Sequence, residues 1–328
     1  MFPGTLARRL AGTVGLFWLV LTITFALIRL APGDAAALLV PPSATAAEVA
    51  RARTELGLDR STAVQYARWA GRTLRGDLGE SFALHVPVSR AIADALPVSL
   101  GLGAASLLLT FLIGIPLGVL QAARRGRASD RILTIATTTV YAAPSFWIAL
   151  SLVAVFTYGA AAWNLPAGLR LPAFGLRTPG AVLGGWAAIA DVVRHSILPV
   201  GILAAIGAAG IARYARSSVA DTLRADFVRT ARAKGASPAR VYLRHVLATV
   251  LPAMVVLFAL SLPGLVAGSI FVESVFAWPG MGQLMVNAII ARDYPLVMGA
   301  TAAYAGLVIA ANLAGDLMLP VVDPRRRG

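Results

Sequence analysis

Residues 96–120 run for 25 positions without one charged side chain. At 1.5 Å per residue, a helix of that length crosses the hydrocarbon core of a bilayer, where every backbone N–H and C=O must be satisfied within the segment. Nothing else in the chain restricts its fold as strongly, and the run is not alone. Comparable apolar stretches occupy residues 10–30, 132–158, about 196–212, 246–272 and 295–319. The expected fold class is an all-α polytopic membrane protein with six transmembrane helices. A hydrophobic content of 58% and a mean hydropathy of +0.76 agree with it.

Residues 10–30 follow Arg8 and Arg9 and exceed the apolar region of a signal peptide, so they read as an uncleaved first span. Arg29, near the outer end, can snorkel to the interface. Pro144 is expected to kink the third span, and the Gly- and Ala-rich fourth to pack closely among other helices.

Charge sets the orientation. With both termini inside, the inner segments hold 17 of the 29 basic residues and 4 acidic ones, whereas the outer segments hold 11 basic and 10 acidic. The opposite orientation would invert that asymmetry. The expected organisation is the N-terminus and first span at 1–32, an external amphipathic helical subdomain at 33–95, a five-helix core at 96–320 containing a cytoplasmic loop at 213–247, and a cytoplasmic tail at 321–328. Within the external stretch, Thr45 and Glu48 have capping-box spacing ahead of a short helix. A second helix begins near Ser61, with Tyr66, Trp69, Ala70, Thr73 and Leu74 on one face.

Several chemistries are excluded. The chain has no Cys, which removes disulfides, thiolate nucleophiles and Cys-metal sites. Its three His, His85, His195 and His245, are far apart in sequence, so no metal site is expected. Lys234 is the only lysine and no phosphate-binding GxxxxGK[ST] surrounds it, so the chain does not hydrolyse ATP by itself. No catalytic residue and no cofactor bound by this chain is expected.

The loop at 213–247 carries eight Arg and Lys against two Asp. Val219, Leu223, Phe227 and Thr230 or Ala231 recur at helical spacing and predict an amphipathic helix. Gly235 stands where that helix should stop, since a left-handed C′ residue is cheapest as glycine. Ser237 then offers an N-cap oxygen and Pro238 suits the first helical position, with Val241 and Leu247 as the next apolar stripe. A basic helix–turn–helix can bind DNA, but spans on both sides leave no room for a free domain. A solvated loop kept positive for topology alone is the plainer reading. A second motif, FAWPGMG at 276–282, holds Trp278, an aromatic anchor suited to the interface, and Pro279–Gly280, which predict a tight turn.

The loop resembles the EAA loop of ABC importer membrane subunits, a helix–glycine–helix that inserts into a groove of the ATPase. Arg229, Thr230 and Ala231 stand at the EAA positions before Gly235, so the Glu is missing. RTARAKG with the later Leu251–Pro252 is similar to the dipeptide, oligopeptide and nickel permease branch. RLAPGD (29–34), LGLDRSTAVQYARW (56–69), RGDLGESF (75–82), APSFWIAL (143–150), FAWPGMGQL (276–284), ARDYPLVMG (291–299) and the terminal DP (323–324) fit in the same order; Leu319 departs from a frequent Tyr.

The resemblance implies a type I ABC importer permease in the bacterial inner membrane. It implies a second homologous permease, two cytoplasmic ABC ATPases carrying ATP and Mg, an extracytoplasmic substrate-binding protein, and no nucleic acid. Arg229, Thr230, Ala231, Ala233, Lys234, Gly235 and Ser237 would form the ATPase-coupling site, lipid headgroups being the alternative contact for the basic ones. Phe276, Trp278, Pro279 and Gly280 would form an external gate or binding-protein hairpin, a plain membrane-surface turn being the alternative. Di- or oligopeptides are the expected cargo, with nickel chelates, glutathione and opines as alternatives in the same branch. An ion-coupled secondary transporter is the competing class. It would place ionisable residues inside the spans, which hold only Arg29 and Asp316, both near a membrane face. A channel or a membrane scaffold would need no ATPase socket.

Overall fold

The structure, a computed structural model, describes residues 3–30, 40, 43–55, 57–267 and 270–322. The described residues are mainly helical. Six helical segments are long and apolar enough to cross a membrane: Gly12–Leu30, Val88–Ala123, Ser145–Ala162, Gly185–Thr222, Pro238–Gly264 and Tyr294–Gly315. Each overlaps one of the six expected spans. RLAPGD beyond Leu30 and the terminal DPRRR fall outside the described residues.

The helices are α1 Pro3–Leu30, α2 Ala46–Glu55, α3 Thr62–Leu74, α4 Val88–Ala123, α5 Ala128–Ala142, α6 Ser145–Val153, α7 Gly185–Thr222, α8 Asp226–Ala233, α9 Leu247–Ala267, α10 Ile270–Val275, α11 Met281–Ile290 and α12 Tyr294–Val322. Three differ from expectation in an instructive way. The third span is not kinked at Pro144 but broken there. Ala143 (ψ 139°) and Pro144 (ψ 131°) are both extended, because proline disfavours the helical region for the residue before it and itself lacks an N–H to continue the ladder. The fourth span, expected at 196–212, is the middle of a 38-residue helix that takes in the end of the supposed external loop and the start of the basic loop. The hairpin before the last span contains a helix of its own, α11.

The chain divides into two compact units, Met1–Val98 with Gly280–Ile309, and Ser99–Pro279 with Ala310–Gly328. In the first, the capping box forms as spaced: the Thr45 N–H donates to Glu48 Oε2 at 2.6 Å and the Glu48 N–H to Thr45 Oγ1 at 3.4 Å. The aromatic face of α3 lies on α1, with Trp69 and Tyr66 against Phe25 at 5.9 and 5.3 Å between ring centroids and Trp18 edge-on to Trp69. Thr22 and Tyr66 share a 2.6 Å hydroxyl hydrogen bond. Leu74, expected on that face, is exposed. Arg29 does not extend clear of the protein as a snorkelling residue would: it is half-buried with its guanidinium 5.3 Å above the Phe25 ring. A separate core packs Val88, Ile92, Met281, Ala288, Leu296 and Ala300.

In the second unit, α4 and α7 meet through small residues. Gly114 and Gly118 repeat at GxxxG spacing, and a Cβ on Gly118 would lie 2.5 Å from the Ala212 carbonyl oxygen and 2.6 Å from Ala215 Cβ. Lipid offers no hydrophobic drive for helix association, so backbone proximity of this kind maximises the dispersion contact that replaces it. The Gly and Ala of α7 serve this purpose: Ala204, Ala208, Ala209, Ala212 and Ala215 are all buried.

Candidate functional site

The basic loop is a chain of caps. After Thr222 the backbone leaves the helix, with the Arg224 N–H on the Asp221 carbonyl and the Ala225 N–H on that of Thr222. The next helix, α8, begins at Asp226, whose carboxylate suits the positive end of the helix dipole. At its other end the Gly235 N–H donates to the Arg232 carbonyl (2.9 Å) and the Ala236 N–H to that of Ala231 (3.1 Å). That is a Schellman ending with Gly235 as C′ at φ +79°. One residue later Ser237 caps the next turn: its Oγ accepts from the Arg240 N–H at 3.4 Å, with Pro238 at the first position. The turn predicted from Gly235, Ser237 and Pro238 is therefore present.

The buried face is different from the one expected. The spacing Val219–Leu223–Phe227 assumes one continuous helix, but the break at 223–225 resets the phase. Val228, not Phe227, is the fully buried residue of α8, and Phe227 is 46% exposed. Past Pro238–Arg240 the backbone makes a π-helical turn over Val241–Val246. The buried valines are accordingly five residues apart, at 241 and 246, and Leu247 is only half-buried. Val219, Val228, Val241, Val246, Val250 and Ala215 make one core cluster that joins α8 to the end of α7 and the start of α9.

That packing leaves the opposite side outward. Arg229, Thr230, Ala233, Lys234, Gly235 and Ser237 are exposed and Ala231 is half-buried. Arg229 reaches Asp226 at 3.6 Å with both side chains exposed, a pair that solvent screens to little effect. Phe227 and Leu243 (69% exposed) are further exposed apolar side chains of the same loop region. Both were missed in the sequence, Phe227 because its phase was taken from the preceding helix.

The FAWPGMG segment departs further from expectation. Phe276 is 1% and Trp278 3% exposed, so Trp278 is a buried side chain rather than an interfacial anchor. Phe276 packs with Ala149, Val153, Leu198, Ile202 and Val272. The left-handed residue of the turn is Ala277 (φ +46°), with the Trp278 N–H on the Glu273 carbonyl at 2.8 Å; Gly280 is extended and Pro279 exposed. Glu273 was not singled out, since it stands one residue beyond the expected fifth span. It is fully buried and accepts a 2.8 Å hydrogen bond from Ser99 Oγ. A lone acid ending an apolar run of that length was the feature that could have revealed it.

Among the described residues no three His, Cys, Asp or Glu side chains converge as a metal site would require. The fold and the capped loop define a polytopic, all-helical membrane protein. The chain belongs to the family of binding-protein-dependent transport system inner membrane components: that family's model matches residues 114–328, and the companion model for the N-terminal part of such components matches residues 4–103. It is similar to the oligopeptide transport system permease protein AppB of Bacillus subtilis, 36% identical over 304 residues, 92% of each chain. It is equally similar to the di/tripeptide transport system permease protein DppB of Pseudomonas aeruginosa, 36% identical over 331 residues and 98% of each. Among solved structures, a chain of the methionine ABC transporter MetNI in an inward-facing conformation superposes with a TM-score of 0.54 at 19% identity, covering 71% of this chain and 96% of that one. The fold is that of type I ABC importer permeases.

Proposed function

We propose that this chain is one of two non-identical permeases that form the translocation path of an ATP-driven importer of di- and oligopeptides. The observation that carries the cargo is the naming of relatives matched over more than nine-tenths of the chain for oligopeptide and di/tripeptide transport. The surplus of basic residues at 121–131 and 213–247 supports an orientation with these loops and both termini in the cytoplasm.

In this reading two ATPases, which hold the ATP and Mg, receive α8 through Arg229, Thr230, Ala231, Ala233, Lys234, Gly235 and Ser237, with Phe227 and Leu243 as apolar knobs. The valine cluster beneath α8 makes the lever rigid, so closure of the ATPase pair moves the ends of α7 and α9 with it. A substrate-binding protein engages the outer side, where the segment Phe276–Gly280 lies at the gate. ATP and the loaded binding protein bias the same two-state element, as alternating access needs.

The test is uptake of a labelled dipeptide into proteoliposomes holding both permeases and the ATPases. Accumulation that requires ATP on the ATPase side and the binding protein on the other supports the reading. Accumulation driven by a proton or sodium gradient without ATP overturns it, and ATP-driven uptake of a nickel chelate alone overturns the cargo.

A further inference from the structure

Asp130 stands in the first turn of α5 and is 5% exposed. A carboxylate so enclosed is costly unless its oxygens are filled, and here four hydrogen bonds reach it. The Gly126 N–H donates to Oδ2 at 3.1 Å, closing the loop that precedes the helix, and Thr134 Oγ1 donates to Oδ1 at 3.3 Å from one turn further on. The other two come from a distant element: Arg216 on α7 donates from Nε to Oδ1 at 3.0 Å and from Nη2 to Oδ2 at 2.9 Å. Four arginines, at 124, 125, 127 and 131, lie closer in sequence and are exposed, yet the planar fork that closes on Asp130 is that of Arg216. A two-point ion pair fixes direction as well as distance, which a single lysine contact does not.

The position of Arg216 gives the bond its meaning. It follows Ala215 and precedes Val219, both fully buried in the cluster that also holds Val228 of α8 and Val241 and Val246 of the π-turn. A load on α8 therefore reaches the end of α7 through a packed core that does not yield gradually. From there the Arg216 fork is the polar link to the start of α5. That helix runs 15 residues to the extended pair Ala143–Pro144, beyond which α6 begins the next span.

We propose that Asp130 and Arg216 are the positioning pair that makes α5 move as one body with the coupling helix α8, leaving Ala143–Pro144 as the hinge. The proposal rests on the reading of the 213–247 loop as the ATPase socket.

The test uses the complex purified from native membranes through a tag on this chain and reconstituted in nanodiscs and proteoliposomes. The variants are Arg216→Gln, Asp130→Asn, the double variant and Arg216→Lys. With the pair broken, ATP hydrolysis persists while labelled dipeptide accumulated per ATP falls about tenfold or more. The double variant is no worse than the worse single, because the two side chains act as a unit, and Arg216→Lys recovers part of the ratio. Spin labels on cysteines introduced at the exposed positions Ile135 and Arg232 report one narrow distance in the wild type, with or without nucleotide, and a broadened one in Arg216→Gln. An unchanged distance distribution, an unchanged transport-to-ATP ratio, or losses that add in the double variant overturn the proposal. If no ATPase co-purifies with the wild type, the socket reading fails instead, and the distance measurement on the isolated chain still decides the pair.

Discussion

Ser81 donates its hydroxyl to the carboxylate of Asp293, 212 residues further along the chain, and neither side chain reaches solvent. The same carboxylate accepts from the Ala83 N–H at 3.0 Å and caps α12 through the Leu296 N–H at 3.1 Å. RGDLGESF and ARDYP thus meet at one buried acid, which ties the segment ahead of α4 to the start of the last span.

Removing that acid should be severe. Asp293→Ala leaves three donors without their acceptor, a loss of about 3 kcal/mol or more, whereas Ser81→Ala removes two hydrogen bonds, the one to Asp293 and the one its Oγ accepts from the Leu84 N–H at 3.0 Å, together worth about 2 kcal/mol. Asp293→Asn should fall between them, since an amide oxygen can still accept. Thermal unfolding of the nanodisc-reconstituted chain, followed by tryptophan fluorescence, gives the ranking. Equal effects of Asp293→Ala and Ser81→Ala would refute the three-donor role.

Gly235 separates conformation from crowding. A Cβ there meets nothing of this chain within 4 Å, so any effect of a side chain on the fold of the turn comes from φ +79°. Gly235→Asn should cost least because Asn tolerates the left-handed region. Gly235→Ala should cost about 1 kcal/mol, and Gly235→Val more because its β-branch resists that φ. ATPase co-purification and peptide uptake should decline in that order. Loss in Asn and Val alike would point to a steric or contact role instead.

The sequence made the spans legible because apolar length is a property of each segment by itself, and it made the Gly235 turn legible because cap chemistry is local. Where it misled, the deciding partner was remote. Whether Pro144 kinks or breaks a helix depends on what else can satisfy the freed carbonyls. Phe227 was placed inward by counting from Val219, but three non-helical residues at 223–225 shift the phase, and the π-turn at 241–246 shifts it again. Trp278 looked interfacial because tryptophan usually is, while its burial depends on neighbours absent from its own segment. Asp130 and Arg216 were counted only as loop charges, since nothing in either stretch names the other.

Gly118 and Gly101 lie on the same helix and predict opposite outcomes. Gly118→Ala drives a Cβ into the Ala212 carbonyl and Ala215, so α4 and α7 must separate, at about 1–3 kcal/mol. Gly101→Ala meets nothing within 4 Å and should gain up to about 1 kcal/mol from helix propensity. The same fluorescence-detected melts compare them, and destabilisation by both would mean that helix packing is not what Gly118 serves.

Asp130 gives the pH dependence a sign. The two hydrogen bonds from Arg216 hold its carboxyl below the usual carboxylate range, helped by the Gly126 N–H and opposed by burial. The folded chain therefore binds that proton less readily than the unfolded chain does. The resulting stabilisation is fully present above the ordinary aspartate pKa of about 4 and is lost as pH falls through the lower value of the folded state. Wild type should melt above Asp130→Asn by a constant margin from roughly pH 8 to 5, since the Asp130 carboxylate stays ionised throughout that interval. The margin should then narrow below about pH 4, as the wild-type carboxyl takes up the proton that makes it an uncharged acceptor like the amide. A margin that persists unchanged to about pH 3, or that closes already near pH 6, would mean the carboxylate charge is not what holds Arg216.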